Sequence, residues 1–336
     1  MRQWLQEIWW RSASPPLPLR LLEQGYAAIA DALAVRRKQA ATRLPVPVIV
    51  IGNIAIGGTG KTPITLALIE QLRALGASPG VLSRGYGGSG PFPLLVAPGT
   101  LPAQAGDEPA LIAQRTGVPV CVAPSRVLAG RALLAAHPEV DVLLCDDGLQ
   151  HYALARDLEL CVVDGGRGHG NGHRLPAGPL RELPARMAPC ALVLVNGADA
   201  AAYGAQALRF DLRAEQAVEL RSGERRALSA FAGVTVEAVA GIGHPQRFFA
   251  LLAAQGITVR AHAFADHHAF TAGDLVFAGD APVLMTEKDA VKCRALDLPA
   301  DRPLWCVPVT AAFSQDAHLR VQECLRSLLT LRRSTP

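Results

Sequence analysis

The sequence predicts an α/β fold: a parallel sheet with helices on both faces, followed by a second, smaller α/β domain. Three observations carry this. Short β-branched runs such as residues 46–51 alternate with helix-period runs such as Leu66, Ile69, Leu72 and Leu75, and this continues to about residue 208. A more charged and mixed stretch, residues 209–228, interrupts the alternation. A second series then starts, with strands expected at 234–239, 257–262 and 283–286 and a helix at 246–255. The expected organisation is an N-terminal helical region over 1–40, a core over 41–208, a linker or connecting strands over 209–228 and a smaller domain over 229–336. The site is expected in the cleft between the two domains. The length of 336 residues suits two domains, since single cores stop growing at roughly 250–300 residues.

In chain order, residues 4–10 read Trp-Leu-Gln-Glu-Ile-Trp-Trp, with three of the four tryptophans. After Pro15, Pro16 and Pro18, the residues Leu22, Tyr26, Ile29 and Leu33 recur at helical spacing, and Arg36, Arg37 and Lys38 close the segment. Apolar face, tryptophans and basic flank suit a helix lying in a membrane surface; packing on the body of the protein is the competing expectation. No run of about 18 uncharged apolar residues suggests a span, and no cleavable leader is legible, so a cytoplasmic location is expected. Seven scattered cysteines without a C-x-x-C pair read as buried hydrophobes in a reducing compartment. A net charge of +4 is too mild to argue for a nucleic-acid partner.

The strand at 46–51 runs into Gly52-Asn53-Ile54-Ala55-Ile56-Gly57-Gly58-Thr59-Gly60-Lys61-Thr62-Pro63 and then into a helix. Such a loop wraps phosphates in backbone N–H groups. Its lysine reaches the terminal phosphates and its threonine binds Mg²⁺. The sheet is therefore expected to be of the P-loop NTPase type, with Gly57, Gly58, Thr59, Gly60, Lys61 and Thr62 binding nucleotide. The usual first glycine is Ala55 here, and the pair Gly57-Gly58 matches a variant loop instead. A second apolar strand ends in Asp146-Asp147-Gly148, which places a carboxylate for Mg²⁺ beside Thr62. Adjacent acids on extended chain point to opposite sides, so one faces the metal. Residues 193–199 carry Asn196 where GTP-binding proteins place Asn-Lys-x-Asp, but Gly197 replaces the lysine, so ATP is favoured. His169 and His173, four apart in a glycine-rich loop, lack helical metal-ligand geometry.

Eight motifs in order now resemble the tetraacyldisaccharide 4'-kinase family: the Gly52–Pro63 loop, Ser83-Arg84-Gly85-Tyr86-Gly87, Gly106-Asp107-Glu108-Pro109, and Asp146-Asp147-Gly148-Leu149-Gln150-His151. Leu175-Pro176-Ala177-Gly178-Pro179-Leu180-Arg181-Glu182, Gly241-Ile242-Gly243-His244-Pro245, Phe264-Ala265-Asp266-His267-His268 and Thr286-Glu287-Lys288-Asp289-Ala290-Val291-Lys292 complete them. The resemblance implies transfer of the ATP γ-phosphate to the 4'-hydroxyl of a tetraacylated glucosamine disaccharide 1-phosphate, giving lipid IVA. It also implies docking of the N-terminal segment on the cytoplasmic face of the inner membrane.

By this similarity Asp107 is the catalytic carboxylate and His267 its partner, although spacing alone would make Asp107 a helix cap. Arg181 and Glu182 are expected to position the acceptor. Tyr86 and Arg126 are further acceptor or phosphate contacts. A membrane-associated P-loop ATPase switch is the rival reading; such proteins usually carry a second lysine early in the loop, where this chain has Ile56. Only 4 of the 33 basic residues are lysines: Lys38, Lys61, Lys288 and Lys292. Lys61 is explained by phosphate chemistry, because Arg's planar fork is a poor substitute for a compact ammonium. The last two raise the question of what they do that arginine could not.

Overall fold

The computed structural model describes residues 2–11, 14–297 and 302–333. The chain forms two compact units, each assembled from separated segments. One comprises residues 1–84, 123–211 and 311–336; the other comprises 85–122 and 212–310.

The first unit is built on a parallel sheet in the order Ala207–Arg213, Leu192–Asn196, Leu158–Asp164, Val48–Gly52, Val142–Cys145, Pro79–Ser83. Val48–Gly52 is buried along its whole length, as its unbroken apolar run requires of a central parallel strand. Its neighbour pairs Val50 with Cys145, which delivers Asp146 and Asp147 beside the loop that follows Gly52. Gly52 permits that crossing, because a Cβ there would meet the backbone nitrogen of Leu149 at 2.8 Å. Helix Lys61–Ala74 leaves the loop with Ile64, Leu68, Ile69 and Leu72 fully buried, so the periodicity read from sequence is its core face.

Two helices lead into this unit, Arg2–Trp10 and Leu17–Gln39. The second buries no residue against the body, and Leu17, Leu21, Leu22 and Ile29 are all exposed. Its opposite arc makes polar contacts instead. Glu23 accepts from the Arg174 backbone (2.7 Å) and meets His173 Nδ1 (2.9 Å), Asp31 pairs with Arg174 (2.8 Å), and Lys38 lies 4.3 Å from the centre of the Tyr152 ring. Trp9 and Trp10 contact the body of the protein, as the competing expectation for this segment has it. Trp9 donates to the Pro176 carbonyl (2.9 Å), Trp10 stacks under Arg167 (4.9 Å), and only Trp4 is half exposed.

The second unit holds a six-stranded sheet in the order Arg225–Ala227, Gln216–Glu219, Leu304–Val307, Val283–Thr286, Thr235–Ala240, Thr258–Ala263. The last four are mutually parallel, and the first two are antiparallel additions. Trp305, fully buried, meets Phe231 edge-on at 5.4 Å in its core.

The boundaries thus differ from those expected. Of the two readings of residues 209–228, connecting strands are what the structure shows, since two of the sheet's strands come from them. Residues 85–122 belong with the second unit, where helix Asp107–Thr116 packs Ala110 and Leu111 against Val291. Residues 311–336, ending in helix Gln315–Arg333, return to the first. Strand and helix periods specify element type, not which sheet an element joins, so a discontinuous division is invisible to them.

Candidate active site

In the first unit the phosphate loop turns through Gly57 (φ 105°) and Gly60 (φ 99°), conformations that an L side chain resists. Gly60 also has close neighbours: a Cβ would meet Phe210 at 3.3 Å and the Asn196 amide at 3.6 Å. Asn196 is therefore beside the loop, buried at the end of its strand. Thr59 is buried and its hydroxyl has no hydrogen-bond partner among the described residues, as suits a group facing a bound phosphate. The Leu175–Glu182 motif braces the loop from outside, with Ile56 N donating to the Pro179 carbonyl (2.9 Å) and Arg181 N to the Ile54 carbonyl (2.7 Å). The loop, Trp10, Val162–Asp164 and Arg167–His169 line a shallow groove.

The two acids part company as adjacent residues should. Asp146 is fully buried and accepts a hydrogen bond from the Thr65 hydroxyl at 3.0 Å. Asp147, at the uncommon φ of 47°, turns toward Lys61 (3.5 Å) and Arg181 (3.2 Å). Burial alone would raise its pKa, but Lys61, then Arg181 and Arg126, outweigh burial and hold it at about 2. Arg181 also bonds Gln150 Oε1 (3.2 Å), so its guanidinium serves the carboxylate beside the phosphate loop. Glu182 faces the other way, accepting from Gln150 (2.7 Å) and from the Tyr152 hydroxyl. Arg126 is only 2% exposed; it donates to the Ala123 carbonyl (3.3 Å), while its Nε has no hydrogen-bond partner among the described residues. Its backbone N–H donates to His151 Nε2 (3.2 Å). Burial first, then the surrounding arginines, push the His151 pKa down to about 4.

Asp107, His267 and Tyr86 come together in the second unit. Asp107 opens helix Asp107–Thr116 after Gly106 (φ 94°), whose missing side chain admits the Tyr86 carbonyl to 2.6 Å of the Cβ position. His267 Nδ1 lies 3.0 Å from Asp107 Oδ2, and the Tyr86 ring lies 5.1 Å from the imidazole. His267 sits at φ 61°, with its N–H on the Gly241 carbonyl (3.3 Å). Such strain at a bulky residue marks a position the surroundings over-determine. Burial would raise the Asp107 pKa, but the His267 hydrogen bond and the charges of Lys292 and Lys288 bring it below the ordinary carboxylate value. A buried, hydrogen-bonded acid–imidazole pair of this kind can take a proton from an alcohol.

Each candidate thus belongs to one of two clusters. Gly57 to Thr62, Asn196, Asp146, Asp147, Arg181, Glu182 and Arg126 lie in the first unit, and Asp107, His267 and Tyr86 form the second group. Sequence reasoning missed Thr65, whose one visible sign is a polar residue on the otherwise apolar face of its helix, four positions after Lys61.

The family model for tetraacyldisaccharide-1-P 4'-kinase matches residues 16–327. The tetraacyldisaccharide 4'-kinase of Stenotrophomonas maltophilia (strain R551-3) is 53% identical over 299 residues, covering 85% of this chain and 87% of that protein. That of Pseudomonas putida (strain GB-1) is 50% identical over 327 residues, covering 94% and 96%. The crystal structure of LpxK from Aquifex aeolicus in complex with ATP superposes with a TM-score of 0.73 at 24% identity, covering 91% of this chain and 97% of that one.

Proposed function

Because the chain belongs to the tetraacyldisaccharide-1-phosphate 4'-kinase family, we propose that it transfers the γ-phosphate of ATP to the 4'-hydroxyl of tetraacyldisaccharide 1-phosphate, forming lipid IVA in lipid A biosynthesis. One observation carries the chemical part: a cation-lined phosphate loop and a buried acid–imidazole pair coexist in one chain.

Phosphoryl transfer needs positioning, neutralisation of charge and removal of one proton. Loop N–H groups and Lys61 hold the phosphates, and Asn196 flanks the loop. Arg181 keeps Asp147 ionised and in place. Thr62 and Asp147 would hold Mg²⁺, which supplies charge neutralisation at the phosphates, while Asp146 orients its neighbour from behind. The proton of the acceptor hydroxyl passes to the Asp107–His267 pair as the new O–P bond forms and ADP leaves. With its free Nε, Arg126 suits a phosphate oxygen, and exposed Tyr86 suits the sugar. Glu182 is engaged by Gln150 and Tyr152, so its part is to hold the loop that carries Arg181.

The acceptor is an acylated glycolipid, and the reading extends to how the protein meets it. No described helix is long and apolar enough to cross a membrane. Helix Leu17–Gln39 turns unpartnered leucines and isoleucine outward, with basic residues at its end, which supports peripheral docking on the inner membrane surface.

The test is incubation of labelled ATP with tetraacyldisaccharide 1-phosphate in detergent. Labelled lipid is expected from the wild-type chain and not from Asp107→Asn. Folded protein that hydrolyses ATP without labelling lipid, at a rate indifferent to lipid, would instead fit a P-loop ATPase switch.

A further inference from the structure

Helix Glu287–Cys293 lies against helix Asp107–Thr116 through Val291, Ala110 and Leu111, and Arg115 pairs with Glu287 at 2.6 Å. This contact brings the last lysine of the chain to the catalytic acid. Lys292 Nζ lies 2.8 Å from Asp289 Oδ1 and 3.8 Å from Asp107 Oδ2, and 4.9 Å from the centre of the Phe270 ring. Its side chain is 8% exposed and that of Asp289 fully buried.

The second oxygen of Asp289 accepts from the Gly241 N–H (2.9 Å) and the Thr286 hydroxyl (2.6 Å). Gly241 in turn holds the His267 backbone through its carbonyl. A circuit closes: Asp107 to His267, His267 to Gly241, Gly241 to Asp289, Asp289 to Lys292, and Lys292 back to Asp107. Gly241 has no room for a side chain, since a Cβ would stand 3.0 Å from Asp289 Oδ1 and 3.2 Å from Phe270.

We propose that Lys292, anchored by Asp289, is a positioning residue for phosphoryl transfer: its ammonium holds the Asp107 carboxylate ionised and turned to His267. This rests on the reading of Asp107 and His267 as the proton-accepting pair. Without the ammonium, two buried carboxylates would face each other with no cation between them, and like charges at close range disfavour ionisation. The other charged groups around Asp107 are Lys288, which pairs with Glu108 (3.2 Å) and Asp266 (3.9 Å), and His267 itself. Lys288 therefore has its own anions to neutralise and does not stand in for Lys292. The choice of lysine also follows. A compact ammonium fits between two carboxylates and a phenyl face, whereas a guanidinium is broader and fixed in shape.

The test measures kcat and the KM for ATP across pH with the full chain and the lipid acceptor in detergent. In Lys292→Met, kcat should fall at least about tenfold, the KM for ATP should stay within about twofold, and the acid limb of the kcat profile should rise by about 1 pH unit. Asp289→Asn removes a negative charge and should move the limb the opposite way. Lys292→Arg keeps the charge, so its limb should stay while kcat drops through crowding.

A folded Lys292→Met whose limb has not moved overturns the proposal. Should that variant fail to fold, an unmoved limb in Asp289→Asn overturns it equally. Asp107→Asn separates the two levels. Wild-type turnover in that variant would sink the proton-accepting pair itself, whereas its inactivity together with an unmoved Lys292→Met limb sinks only the role of Lys292.

Discussion

Thr65→Val isolates one hydroxyl in the first unit. The side chains are nearly the same size and Thr65 is fully buried, so packing is conserved while the donor to Asp146 Oδ1 is lost. Losing a hydrogen bond to a buried polar group costs about 1–3 kcal/mol, and Asp146 is fully buried, so a value near 2 kcal/mol is expected. For a unit of roughly 200 residues that is a fall in Tm of about 4–8 °C. Asp146 adjoins the acid that faces Lys61, so its reorientation should also lower kcat about tenfold and raise the Mg²⁺ concentration needed for half-maximal rate. Differential scanning calorimetry and a kinase assay over a Mg²⁺ series measure both. An unchanged Tm together with an unchanged Mg²⁺ dependence would refute the idea that Thr65 holds Asp146 in a working orientation.

Three further outcomes are expected. Asp107→Asn should lower kcat by about 10²–10⁴ while ATP affinity, measured by nucleotide titration, stays within about threefold; an equal loss of ATP affinity would mean Asp107 is only structural. His151 has its pKa depressed to about 4 in the folded chain, so its stabilising contribution is complete above about pH 6.5 and is lost as pH falls toward 4. With part of the ring solvated, this amounts to about 1 kcal/mol at pH 5, and a His151→Gln variant should show a correspondingly flatter Tm-versus-pH curve over that window. Replacing Leu21, Leu22 and Ile29 together by serine should release the protein from anionic vesicles in a flotation assay without changing its Tm, because none of the three is buried; undiminished flotation would count against this helix as the docking element.

Much of this was legible in the amino-acid sequence, and the rest was hidden for specific reasons. The strand, the paired glycines and Lys61-Thr62 are local, so spacing alone located the phosphate loop and the acids at the end of the neighbouring strand. Asp107 was different: its position reads as a helix cap, and only the resemblance of its motif pointed to chemistry. Thr65 and Lys292 act on partners 81 and 185 positions away in sequence order, Asp146 and Asp107, and no periodicity reports such pairs. Arg181 and Glu182 are adjacent yet serve different neighbours, because the bent loop that carries them turns one toward Asp147 and the other toward Gln150 and Tyr152. For the tryptophan cluster, composition left membrane contact and packing on the body side by side; the structure shows Trp9 and Trp10 using ring and indole N–H to fasten the first helix to the Arg167–Pro176 loop.

The discontinuous second unit has a consequence for how the enzyme is made. Asp107 and His267 stand 160 residues apart, and residues 123–211 between them belong to the other unit. On a translating ribosome, the segment 85–122 emerges long before the strands and helix that give it a core. At about 5–20 residues per second, Asp107 waits roughly 10–30 seconds for its histidine. During that interval Ala110 and Leu111 lack Val291, their partner from the later segment, and the acid–imidazole pair is incomplete although the strands flanking the phosphate loop have already been made. Both units take their final segments after His267, so the two are completed late and close together in the life of each new chain.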